Sequence, residues 1–153
     1  MRISDFLDEK AIICDLAAST KEAAIAEMVE ALIASGSYSD PEKALGVLME
    51  REKFGSTGIG EGVAIPHGKL ADIQNVTSVF ALSKNGVEFE SMDGAPVHIL
   101  FLLLAPEESA HLHLKALARI SRLVKSRQFR DELLRLATPE EIFEKIVGED
   151  EKY

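Results

Sequence analysis

Val97-His98-Ile99-Leu100-Phe101-Leu102-Leu103-Leu104 is a run of apolar residues broken by a single histidine. A strand with one wet face alternates apolar and polar side chains. An unbroken run is what a central strand covered on both faces requires. The uninterrupted part, Ile99 to Ala105, is far too short to span a bilayer. Working upstream, Val76 to Ser83 is rich in valine, threonine and phenylalanine, as strands are. Asn85-Gly86 reads as a hairpin turn, Val87-Glu88-Phe89 alternates after it, and Asp93-Gly94 turns the chain into the apolar run.

Helical patterns lie on both sides of these strands. Ser19 and Glu22 have capping-box spacing, and Ile25, Met28, Val29, Leu32 and Ile33 follow at helical intervals up to Gly36. Asp40-Pro41 starts a second helix as N-cap and first helical residue. That helix carries Leu45, Leu48 and Met49, reaches Arg51 and stops at Gly55. Three more helices close the chain. One is capped by Ser109, one carries Phe129, Leu133, Leu136 and Ala137, and one opens on Thr138-Pro139-Glu140-Glu141. Helices, then strands, then helices predict an α/β fold, a mixed sheet covered on both faces. The 153 residues suit one domain over 1–148, with a frayed tail over 149–153.

Composition narrows the function. A formal charge of −9 disfavours nucleic acid and anionic membranes as partners, and suits a basic protein. The single cysteine, Cys14, excludes a disulfide framework and fits a reducing compartment; its apolar surroundings make it a core residue. MRISDFLDEK lacks the apolar stretch of a secretory signal, so a cytoplasmic protein is expected.

Between the second helix and the strands, GSTGIGEGVAIPHGK holds five glycines and a proline around one apolar stretch, Val63-Ala64-Ile65. It reads as a loop, a short strand, then a break at Pro66-His67-Gly68. Of the four histidines, His67 stands out. Pro66 holds the preceding residue extended and Gly68 allows a sharp turn, placing an imidazole at a strand end beside a loop able to offer N–H groups to an anion. Histidine titrates near ~6.5, so a useful fraction is uncharged and nucleophilic at neutral pH. The bland alternative is a histidine that satisfies a turn. His113 falls in the first turn of the helix capped by Ser109, where unpaired N–H groups favour phosphate and a neutral ring. His111 and His113 would share a face on a strand and could bind zinc there; on a helix they diverge by about 200°. His98 opens the apolar strand and is read as structural. Arg51 precedes the glycine-rich loop, and its forked guanidinium suits a phosphoryl group as well as an ordinary helix end. Gly58-Ile59-Gly60-Glu61-Gly62 superficially resembles a dinucleotide fingerprint, but a helix precedes it and a strand follows, the reverse of what that motif needs.

The segment REKFGSTGIGEGVAIPHGK, from Arg51 to Lys69, resembles the active-site segment of the fructose- and mannitol-type (type 2) IIA domains of the bacterial phosphoenolpyruvate-dependent sugar phosphotransferase system. HLKALARISRLV, from His113 to Val124, resembles that family's histidine-headed helix. The N-terminal ISDFLDEKAIICDL and the later SRQFRDELLRLATPEEIFEKI fit as well, so the resemblance spans nearly the whole chain. It implies a three-layer α/β/α sandwich with a mixed sheet. It implies that His67 receives a phosphoryl group from the small carrier HPr, on Nε2 (a tele-phosphohistidine), and passes it to a IIB domain. It further implies that His113 helps hold the site, that Arg51 stabilises phosphoryl charge, and that no metal or organic cofactor takes part. His111 is left without a role, because only His113 keeps register with Leu114 and Leu117. The absence of IIB or IIC sequence and the form of GSTGIGEGVAIPHGK look closer to the nitrogen-regulatory branch, in which phosphorylation governs contacts with a regulated partner.

Overall fold

The computed structural model describes all residues from Met1 to Tyr153. Two 3-10 turns, Ile3–Asp5 and Glu9–Ala11, lead into β1 (Ile12–Ile13), α1 (Lys21–Ala34) and α2 (Pro41–Glu52). Next come β2 (Gly58–Gly60), β3 (Val63–Ala64), β4 (His67–Leu70), β5 (Thr77–Val87) and β6 (Val97–Pro106). The chain closes with α3 (Ala110–Leu123), α4 (Arg127–Leu133) and α5 (Pro139–Asp150). No helix is long and apolar enough to cross a membrane.

The apolar run is the organising strand. β6 pairs antiparallel with β5 on one side and parallel with β3 and β4 on the other, in a mixed six-stranded sheet. Ile99, Phe101, Leu103 and Ala105 face a core shared with α3, α4 and α5. Leu100, Leu102 and Leu104 face a second core shared with α1 and α2. The three-layer sandwich is therefore present, and it explains the absence of alternation in β6: both faces are dry. Each leucine, isoleucine or phenylalanine among them contributes roughly 1.5–3 kcal/mol by burial.

Several local expectations are corrected. Asn85-Gly86 is no hairpin. β5 runs through it, and residues between Leu82 and Val87 bulge out of the ladder with β6. Gly86 has φ +92°, a Cβ there would come within 3.0 Å of Pro96 Cβ and 3.1 Å of His98 Cε1, and His98 Nδ1 lies 2.8 Å from the Ser83 carbonyl inside the bulge. Pro66-His67-Gly68 is no break either. β3 and β4 run in succession along the same side of β6, and the Pro66 carbonyl still accepts a hydrogen bond from Leu103 N at 2.9 Å. Proline removes one donor from the ladder without ending it. The first helix is capped by Thr20, not Ser19, and without a side-chain bond. Asp40, Ser109 and Thr138 cap as expected, each accepting from a backbone N–H of the first turn. Leu136 and Ala137 lie beyond α4, whose end is tied down by Lys84 Nζ on the Leu134 and Leu136 carbonyls. Cys14 is half-buried at the rim of a core.

At the C-terminus, α5 runs two residues past 148. Glu149 and Asp150, assigned from sequence to a frayed tail, are helical and buried. Asp150 accepts from Ile3 N at 2.8 Å and from Arg119 Nε at 2.6 Å, pinning the two ends of the chain onto α3.

Candidate active site at the free edge of the sheet

Strand β4 pairs only with β6, so its other edge is open. There a cleft of about 440 Å³ lies between the end of α2 and the start of α3, lined by Arg51, Phe54, His67, Lys69 and His113 among others. A larger depression of about 780 Å³, between Ser4–Glu9 and Ile73–Thr77, holds no histidine or arginine. Gly68 lets β4 approach α2: a Cβ there would come within 3.1 Å of Val47 Cγ2. The close packing puts His67, next in sequence, beside Arg51.

His67 is half-buried, and its Nδ1 lies 2.7 Å from the Ile65 carbonyl oxygen. A carbonyl can only accept, so Nδ1 carries the proton and Nε2 keeps a free lone pair. The ring's pKa lies below the ordinary 6.5. Burial is the main cause, partly opposed by the Ile65 hydrogen bond, with Arg51 lowering it further and Glu52 raising it. At neutral pH the ring is uncharged.

His113 is almost fully buried, with its ring centroid 5.3 Å from that of His67 in an edge-on arrangement. Burial, reinforced by His67 and Lys69, pushes its pKa down to about 4. Its Nδ1 is buried with no hydrogen-bond partner. Arg51 Nη1 donates to the Gly55 carbonyl at 2.9 Å, which fixes the guanidinium while leaving its other N–H donors without a protein partner. The structure thus gathers His67, His113 and Arg51 in one cleft. His111 is exposed elsewhere on α3, and no three His, Cys, Asp or Glu side chains are grouped to hold a metal ion.

Two further residues shape the site. Glu52 is buried beneath the cleft, accepts from Thr57 N at 3.1 Å and from Thr57 Oγ1, and pairs with Lys21 Nζ at 3.0 Å. In the sequence it stands only as the second residue of the segment Arg51 to Lys69, with no role of its own, although a signal was present. A carboxylate in the last turn of a helix opposes the macrodipole and needs a compensating partner. Phe54, 83% exposed, is a large apolar side chain lining the cleft, and Leu114, which follows His113 on α3, is 65% exposed.

A mixed sheet between two helical layers thus presents a half-buried neutral histidine in one cleft with an arginine held by a backbone carbonyl. Residues 5–148 match the family described as "Phosphoenolpyruvate-dependent sugar phosphotransferase system, EIIA 2", and the chain belongs to that family. It is 42% identical over 133 residues to a nitrogen regulatory protein of Bradyrhizobium diazoefficiens, covering 87% of this chain and 86% of that protein. It is 37% identical over 152 residues to the fructose-specific EIIABC component of Bacillus subtilis, spanning 99% of this chain but 24% of that longer protein. Among solved structures, nitrogen regulatory protein IIA-Ntr from Neisseria meningitidis superimposes with a TM-score of 0.86 at 32% identity, covering 94% of this chain and 98% of that one. The IIA mannitol enzyme of Escherichia coli, solved in complex with phosphorylated IIB, shares the fold with a TM-score of 0.77 at 22% identity, covering 94% and 99%.

Proposed function

We propose that this chain is a phosphocarrier that accepts a phosphoryl group from phospho-HPr on Nε2 of His67, and that it serves in nitrogen regulation. The observation that carries the reading is the Nδ1–H···O=C bond to Ile65, because it leaves Nε2 as the nucleophile. The Nε2 lone pair forms a bond to phosphorus as the bond from phosphorus to the donor breaks, its electron pair leaving with the donor. The ring keeps its Nδ1 proton and becomes cationic, and the Ile65 carbonyl stabilises that charge. Arg51 faces the phosphoryl oxygens with donors whose geometry is already set, and His113 supplies a neutral partner that does not compete for a proton. Phosphoryl transfer asks mainly for positioning and charge stabilisation, which these side chains supply without a metal or organic cofactor.

The regulatory assignment rests on likeness to nitrogen regulatory proteins of similar length. The phosphoryl group brings about two negative charges to the cleft mouth at neutral pH, against one positive charge on the ring, enough to change which protein surface fits around Phe54. Such a carrier acts in the cytoplasm. The match to the fructose component supports a second reading, in which His67 hands the group to a IIB domain.

Incubation with phosphoenolpyruvate, enzyme I and HPr, followed by intact mass, tests the chemistry. An acid-labile gain of one phosphoryl group is expected in the wild type and not in His67→Ala. A gain retained in His67→Ala would overturn the assignment of the nucleophile. Adding purified IIB domains of the fructose or mannitol type then separates the readings: the regulatory role predicts that the label stays on this chain.

A further inference from the structure

Glu52 takes no part in the chemistry above, and the hydrogen bonds that begin at its carboxylate end on the nucleophile. Glu52 holds Thr57 through both N–H and hydroxyl. The Thr57 carbonyl accepts from Ile65 N at 3.0 Å. The Ile65 carbonyl accepts from His67 Nδ1 at 2.7 Å. Every residue on this path is buried until His67 itself.

We propose that Glu52 is a positioning residue for His67, acting through Thr57 and Ile65 to hold Nε2 in register with Arg51. The N–H and C=O of Thr57, and those of Ile65, belong to different peptide groups, so the path transmits position and not charge. The need for it lies in Pro66. With no N–H of its own, Pro66 leaves the segment before His67 anchored to β6 by one carbonyl. On the opposite side Ile65 is held by Thr57, and Thr57 is held by Glu52. Adjacent residues on a helix point about 100° apart. The last turn of α2 therefore sends Arg51 into the cleft and Glu52 beneath it, and one helix end fixes both partners of the phosphoryl group.

A carboxylate suits this place because its two oxygens accept from Thr57 N, Thr57 Oγ1 and Lys21 together. An amide has one such oxygen, and its NH₂ would face the ammonium or else reverse the Thr57 hydroxyl from donor to acceptor, turning its proton away.

The kinetic part of this inference rests on the phosphocarrier reading; the structural part does not. The test uses Glu52→Gln and Thr57→Val, with Thr57→Ser as the conservative control. Nitrogen-15 imidazole spectra of the unphosphorylated protein report the His67 tautomer without any donor. Steady-state transfer from phospho-HPr reports kcat and KM separately. In Glu52→Gln and Thr57→Val the single Nδ1–H tautomer is expected to give way to a mixture, with kcat falling about tenfold and KM changing less than about twofold. Thr57→Ser, which keeps the hydroxyl, should match the wild type in both. Thr57→Val leaves the Glu52–Lys21 pair intact and carries the test if Glu52→Gln does not fold. A wild-type tautomer and wild-type kcat in folded Thr57→Val would overturn the proposal. Tautomer mixing in the variants, in a protein that takes up no phosphoryl group even as wild type, would uphold the linkage and remove the transfer reading instead.

Discussion

The two imidazoles at the cleft are 5.3 Å apart and held in opposite ways. His67 sits on a strand at an open sheet edge, with one nitrogen tied to a carbonyl and the ring partly exposed. His113 sits in the first turn of a helix, buried, with Nδ1 unpartnered. A buried lone pair without a donor is tolerated better than a buried N–H without an acceptor, so the His113 proton belongs on Nε2. The neighbours thus favour opposite tautomers, one offering a lone pair and the other a donor. Burial lowers both pKa values, further for His113, to about 4. Anchoring and access assign the roles.

Three variants break or sharpen this contrast. Arg51→Ala removes the cation while leaving both rings held as they are. Phosphoryl uptake in a single-turnover mass assay should slow by about 100-fold or more, with the His67 tautomer unchanged. His113→Phe keeps the buried ring shape and removes the donor; uptake should slow by about tenfold and still occur on His67. The same variant carries a pH signature. The folded value of about 4 lies below the unfolded 6.5, so the unfolded chain binds more protons between those values. Stability from this group is complete above pH 6.5 and is lost as pH falls toward 4. Urea unfolding at pH 7 and pH 4.5 should show the wild type losing on the order of 2 kcal/mol more than His113→Phe. Gly68→Ala has the mildest effect expected. It forces β4 away from Val47, costing roughly 1–3 kcal/mol by thermal melting, while both tautomers persist.

The sheet's centre was legible in the sequence because β6 is dry on both faces, which leaves an unbroken apolar run. Its edges were not. β1 is two residues long, too short to leave a pattern. Asn85-Gly86 carries a turn signature, but tertiary pairing with β6 on either side of the bulge keeps the chain in the sheet. Pro66 and Gly68 both signal a break, and each has another use here: one skips a ladder bond and the other admits Val47. His67 and His113 drew notice as residue types, although 46 positions separate them and only the sheet edge makes them neighbours. Glu52 had no role legible in the sequence because its partner, Thr57, lies across the turn from Lys53 to Ser56, whose geometry the sequence leaves open.

The clasp made by Asp150 has a topological consequence. One carboxylate binds the backbone three residues from the start of the chain and a guanidinium in the middle of α3, which brings the first and last elements side by side. A single side chain thus does the work of a latch, and releasing it would free the opening turn and the closing helix together.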